Sequence, residues 1–244
     1  MTPRLEAIKE QPLLNAPSPN ASEWWEVTPE HEKVISRWMS GFRKANNPGS
    51  MLSDFYMMRE LGFAERITDE EAERANASLQ SFRRNESGYE IARIHHYMRL
   101  LGRQSDCTER DKELIRRETS HGAKFQPMED FMQLLHMATE LGVIGDVNRN
   151  RQELDQYLVE CRKVKSGMEL AAAIHYSRKL GIPVEVTDDD RREMREHLLS
   201  EKPFKLADHT LARMYFYLRD ILPEAGKKAE ASPMPTLKRF GGGE

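Results

Sequence analysis

The chain has 244 residues, 39% of them hydrophobic and 32% charged, and a net charge of −3. That near balance excludes bulk attraction to nucleic acid, and no apolar run approaches the ~18 residues of a membrane span. Two cysteines, Cys107 and Cys161, form neither a CxxC pair nor a secreted disulfide framework, which points to a reducing, intracellular compartment.

Residues 1–22 hold Pro3, Pro12, Pro17 and Pro19 with few bulky apolar groups, and read as an extended arm. The arm has no secretory apolar core, and the early Glu6 and Glu10 make it a poor transit peptide. Trp24-Trp25 opens the folded part, residues 23–223, where an aromatic pair covers an open first face or meets a partner. From there the sequence repeats. Leu61-Gly62, Leu101-Gly102, Leu141-Gly142 and Leu180-Gly181 recur every 39–40 residues, with Ile221-Leu222-Pro223 as a degenerate last copy. A fixed period of this size marks a helical repeat array.

Each unit opens on a helix N-cap. Thr28, Thr68, Thr108, Asn148 and Thr187 stand at equivalent positions, each preceded by a small apolar residue (Val27, Ile67, Cys107, Val147, Val186) in the hydrophobic-staple position. That placement makes Cys107 a packing residue rather than a reactive thiol. The first helix of each unit then carries apolar groups at helical spacing: Val34, Ile35, Trp38 and Phe42; Ala72, Ala75, Leu79 and Phe82; Leu114 and Ile115; Leu154, Leu158 and Cys161; Met194 and Leu198. Three of these helices end in basic residues (Arg43-Lys44, Arg83-Arg84, Arg162-Lys163), which complement the helix dipole. Turns at Asn47-Pro48-Gly49, Asn85-Glu86-Ser87-Gly88 and Lys165-Ser166-Gly167 lead into second helices, and Ser166 with Glu169 forms a capping-box pattern. The second helices are apolar on more than one side, as stacking requires.

The expected fold is therefore all-α, an α-solenoid of five helical hairpins over residues 26–62, 66–102, 106–142, 146–181 and 185–223. A second arm follows at 224–244, where Leu237 and Phe240 could anchor on a partner.

Candidate chemistry is sparse. His96, His136 and His175 share one column of the second helices with Tyr56 and Phe216. Rungs ~9–10 Å apart cannot share one metal, so the column reads as planar packing. Arg59, Arg99, Arg178 and Arg219 form a second column, which serves either as a basic ridge for a partner or as dipole compensation paired with Glu60 and Glu140. Asp188-Asp189-Asp190 sits in a first helical turn, where carboxylates are favoured without a metal. His31-Glu32 lacks the second histidine of a zinc-protease motif, and no phosphate-cradling glycine loop is present. No nucleophile is assembled with a base, so no catalytic, cofactor-binding or metal residue is expected. The candidate partner-binding residues are Trp24, Trp25, Arg59, Arg99, Arg178, Arg219, Leu237 and Phe240.

The pattern Ala-x-x-x-Tyr-x-x-x-Leu-Gly-x-Pro-x-x-Val-Thr in 172–187 resembles pentatricopeptide and tetratricopeptide repeats. Arg37-Trp38-Met39-Ser40-Gly41-Phe42, with Arg83-Arg84 and Ala92-Arg93-Ile94 in the next hairpin, is similar to the Va-type matrix-side helical subunit of cytochrome c oxidase. These resemblances imply a non-catalytic accessory subunit, bound to other protein subunits of a respiratory complex on the matrix side of the mitochondrion. A peripheral ATP synthase subunit and a pentatricopeptide-like binder of single-stranded RNA are the alternatives.

Overall fold

A computed structural model describes residues 33–35, 37, 47–62, 67–121, 127–145, 147–200 and 208–221. Trp24, Trp25, Thr28, Trp38, Phe42, Leu237, Phe240 and both arms lie outside these residues. Among the described residues the chain is all-α, with no strand. Its helices are α1 (Pro48–Glu60), α2 (Asp69–Arg84), α3 (Gly88–Leu100), α4 (Glu109–Thr119), α5 (Met128–Glu140), α6 (Arg151–Val164), α7 (Gly167–Lys179), α8 (Asp188–Ser200) and α9 (Asp208–Ile221). Lys33, Val34, Ile35 and Arg37 are helical as well. No helix among these is long and apolar enough to cross a membrane.

The repeat glycines act as expected. Gly62, Gly102, Gly142 and Gly181 all have positive φ, between 67° and 83°, the left-handed conformation that ends a helix. The turns differ from expectation. Gly49, Gly88 and Gly167 are helical, and the residues with positive φ there are Glu86 (55°) and Lys165 (54°). Close approach explains the glycines: a Cβ on Gly88 would lie 2.5 Å from the Leu114 carbonyl of α4, and one on Gly167 would lie 2.8 Å from the Glu193 carbonyl of α8.

Three of the predicted caps are complete boxes. Thr68 exchanges hydrogen bonds with Glu71, and Thr108 with Asp111. Thr187 follows the same pattern, accepting from the Asp190 amide at 3.1 Å. Two depart from it. Asn148 begins a short 3-10 turn, and α6 starts only at Arg151 without a side-chain cap, because a cation stands where the box needs a carboxylate. Ser166 occupies the N-cap of α7, but its hydroxyl makes no capping bond.

The odd-numbered helices are inner and the even-numbered ones outer. Ala72, Ala75, Leu79, Leu114, Ile115, Leu154, Leu158, Cys161, Met194 and Leu198 on the outer helices are buried as predicted, while Phe82 is half-buried. The inner helices contribute a drier surface: Leu52, Ala92, Met132 and Ala171 are fully buried.

The inner helices touch in the order α1–α3–α5–α7–α9, and α9 then returns to α1. An open row has become a ring. Apolar burial closes it, since Val34, Ile35 and Met58 share one core cluster with Leu211, Met214 and Leu218 of α9. Five helix axes spaced ~9–10 Å around a ring lie about 8 Å from its centre, so side chains pointing inward must meet one another.

Candidate functional site

The arginine column lies at the C-terminal rim of this ring. Arg59 donates to the Leu100 carbonyl at 3.0 Å, Arg99 to the Glu140 carbonyl at 2.7 Å, and Arg178 to the Ile221 carbonyl at 2.9 Å. Arg219 donates to the Glu60 carbonyl and closes the circle. Each guanidinium thus caps the end of the neighbouring inner helix rather than its own. Because end meets end at four of the five junctions, the inner helices run parallel, and the arginines offset a concentrated set of negative helix termini. The expected pairing with Glu60 is present, from Arg59 at 3.3 Å and Arg219 at 3.6 Å. One position in the column is missing its arginine: Thr139 of α5 bonds back to its own helix at Leu135 instead.

The histidine column lines the next tier inward. Its rungs are closer than the ~9–10 Å expected from helix spacing, with His96 and His136 ring centroids 5.3 Å apart and His175 5.3 Å from Phe216. The reason is the closure: side chains on the inside of a ring converge. Phe216 reaches Tyr56 at 6.0 Å, so the aromatic tier also runs through the α9–α1 seam. Burial drives the imidazoles down, His96 and His175 to about 3 and His136 to about 4, so all three are neutral at pH 7. Neutral edge-to-face rings suit this tier.

Outside the ring, two joints between outer helices share one device. Arg83 at the end of α2 grips Asp111 of α4 through Nε and Nη2, both at 2.6 Å. Arg162 at the end of α6 grips Asp190 of α8 at 3.0 and 2.8 Å. The basic ends of these helices therefore do more than balance a dipole: they hold the capping carboxylate of the next unit.

His95, Cys107 and Asp111 place ligand atoms within 4.8 Å of one another, the one such group of three among the described residues. The donor set does not suit a metal. Asp111 already accepts from Arg83 and from the Thr108 amide and hydroxyl, and its Oδ2 lies 3.2 Å from His95 Nε2. Burial raises the Asp111 carboxyl, but Arg83 and Thr108 outweigh it and hold the group well below the usual range. Burial pushes the Cys107 thiol up to about 11, far from the thiolate a metal binds.

The ring interior nearer the N-terminal ends of the inner helices is polar. Gln133 of α5 donates to the Tyr97 hydroxyl at 2.8 Å and accepts from the Tyr89 hydroxyl at 2.6 Å. Tyr217 donates to Glu129 at 2.8 Å, and Arg213 pairs with the same carboxylate at 2.8 Å. Arg93 bonds Ser50 and Ser53 and lies over the Tyr89 ring at 5.3 Å. Asp54, in the middle of α1, makes no hydrogen bond or ion pair among the described residues. Burial pushes its carboxyl up to about 6, against the opposing pull of Arg93 and Arg213.

The structure thus gathers four of the expected partner residues, Arg59, Arg99, Arg178 and Arg219, on one rim and engages them within the chain. The polar interior escaped the sequence reading because its level of the inner helices holds Ser53, Arg93, Gln133, Ala172 and Arg213, five residues with no common chemistry. The available signal was charge at helix positions flanked on both sides by buried groups. No known protein family, curated protein or solved structure matches the chain.

Proposed function

We propose that the chain is a non-catalytic helical-repeat scaffold, five hairpins closed on themselves, that serves as an accessory subunit of a larger protein assembly. The observation that carries this reading is the rim, where Arg59, Arg99, Arg178 and Arg219 are all used to join one inner helix to the next. Groups that would do chemistry elsewhere are used here to fix a shape: the histidines are packed and neutral, and Asp111 is saturated. What the shape offers a partner is the outer face, built of exposed charges in short-range pairs such as Arg110–Glu113 and Arg192–Asp189.

The resemblance of Arg37–Phe42 and of Arg83, Ala92 and Ile94 to the Va-type subunit directs the proposal to cytochrome c oxidase on the matrix side. Within the described part of that resemblance, Arg83 clamps Asp111, and Ala92 and Ile94 are core residues. They support a shared architecture rather than a shared binding site. The test is to tag the endogenous protein, extract it in gentle detergent and resolve it on a native gel. Co-migration with cytochrome c oxidase supports the proposal, and co-migration with ATP synthase moves it to that complex. Migration alone, together with salt-sensitive binding to single-stranded RNA, replaces it with the RNA-binding reading.

A further inference from the structure

His95 stands beside His96 in α3 but points elsewhere. Neighbours on a helix project about 100° apart, so His96 enters the aromatic tier while His95 faces the start of α4. The His95 side chain is only 1% exposed, and both of its ring nitrogens have partners. Nε2 lies 3.2 Å from Asp111 Oδ2, and Nδ1 lies 2.7 Å from Ser105 Oγ. Ser105 belongs to the connector between α3 and α4. Arg103 pins that connector, bonding Asp69 at 2.5 Å and the Ile67 carbonyl at 2.7 Å. Ser105 is half-buried between exposed Gln104 and Asp106, so a reagent can reach this stretch from solvent.

Asp111 sets the direction of the chain of hydrogen bonds. Arg83 and the Thr108 amide and hydroxyl all donate to it and hold it well below the usual carboxylate range, so it is ionised and can only accept. The ring proton of His95 therefore sits on Nε2, facing that carboxylate. Nδ1 is left with a lone pair, and the Ser105 hydroxyl donates to it. Burial holds the imidazole below its ordinary value, against the pull of Asp111, so it is neutral at pH 7 and able to take a proton. A hydroxyl aimed at a neutral imidazole, whose far nitrogen is held by a buried carboxylate, is the arrangement that activates a serine. No sequence motif announces it, because Ser105 and Asp111 lie 10 and 16 positions beyond His95, on a connector and on the next helix.

We infer that Ser105 is a modification site, whose oxygen accepts an acyl group from an activated ester or thioester with His95 as the general base. The Ser105 oxygen bonds to the acyl carbon while its proton passes to His95 Nδ1. The bond from that carbon to the leaving oxygen or sulfur then breaks, and the leaving group departs with the electron pair and takes up the proton. Cys107 also lies close to His95, but burial pushes its thiol up to about 11, so it stays protonated. One acyl group per chain is a modification rather than a turnover, so the site goes beyond the scaffold reading and does not rest on it.

The experiment mixes p-nitrophenyl acetate with the full chain, follows nitrophenolate release by absorbance and locates the acetyl group by peptide mass spectrometry. Acetylation of Ser105 is expected, at least ~100-fold faster in the folded chain than in the same chain unfolded in urea, where no base stands beside the hydroxyl. Ser105→Ala should lose the fast release, His95→Gln should slow it by a similar factor, and Cys107→Ala should leave it unchanged.

The proposal is overturned if Ser105 stays free of acetyl, or if it reacts as fast in urea as in the folded chain. It is also overturned if His95→Gln, with circular dichroism matching wild type, reacts at the wild-type rate. If His95→Gln fails to fold, Ser105→Ala and the comparison of folded with unfolded wild type decide. The native-gel assay reads a different property, so the scaffold reading is tested separately.

Discussion

Two joints of the ring invite comparison, the one between the units of α2–α3 and α4–α5 and the one that follows it. The first is held three ways. Arg83 clamps Asp111, Thr108 and Asp111 form a capping box, and Arg99 of α3 caps the end of α5. Among the described residues the next joint shows none of these. Arg151 stands where the box carboxylate should be, Asn148 enters a 3-10 turn, and Thr139 replaces the rim arginine. The joint between α6 and α8 regains the clamp through Arg162 and Asp190. One all-α fold therefore contains strong and weak joints, and the difference comes from a few polar residues rather than from the core. Leu154, Leu158 and Cys161 are as well buried beside the weak joint as Leu114 and Ile115 are beside the strong one.

Acid should break the comparison most forcefully. His96, His136 and His175 have folded pKa values pushed below 6.5, so the unfolded chain binds protons first and stability falls as pH drops below 6.5. Between pH 6.5 and 5 each histidine contributes a loss of about 1.5–2 kcal/mol. Asp54, with its pKa raised to about 6, opposes this by about 1 kcal/mol as it takes up a proton in the folded state. The net expectation is a loss of roughly 4 kcal/mol, read from urea midpoints at the two pH values. Hydrogen exchange at pH 5 should rise first between α5 and α7; uniform protection across all joints would erase the distinction drawn between them.

Arg83→Ala comes next. It leaves Asp111 fully buried and without its charge partner, at a cost of about 3 kcal/mol. Arg83 is itself about one-third exposed, which places the cost at the lower end of the range for a broken buried pair. Equilibrium denaturation measures it, and a loss below about 1 kcal/mol would show that the strong joint owes little to its clamp.

Thr139→Arg should strengthen the weak joint. The new guanidinium would stand where Arg59, Arg99 and Arg178 stand, facing the end of α7, and is expected to add about 1 kcal/mol. A higher melting temperature, with slower exchange confined to α5 and α7, is the expected result. Smallest of all, Lys165→Gly relieves a left-handed non-glycine residue at φ 54° and should stabilise by about 0.5 kcal/mol in the same melts.

Helices, caps and core were legible because each depends on local spacing. The terminal glycines gave the register, and every column counted back from them fell on a real helix face: Met57, Tyr97, Met137 and Tyr176 are all buried. Closure was not legible. It depends on a small rotation per unit that no single residue encodes, and Arg219 reads in sequence like any other rim arginine. The clamps were half visible, with Arg83 and Arg162 noticed for their place at helix ends and their partners Asp111 and Asp190 noticed only as caps. The interior was missed because the residues that build it are not repeated.

The closing hydrogen bond also has a consequence for how the chain reaches its final form. Arg59, Arg99 and Arg178 reach carbonyls 41 to 43 positions away, within the span of one unit. Arg219 reaches back across 159 positions, from the last described helix to the first. The ribosome can therefore release a growing row whose neighbours pair as soon as they emerge, while the final contact must wait for α9. Until then α1 presents an unmatched flank, and the interval between synthesis of α1 and arrival of α9 is the time in which a chaperone, or the α9 of another copy, could occupy it.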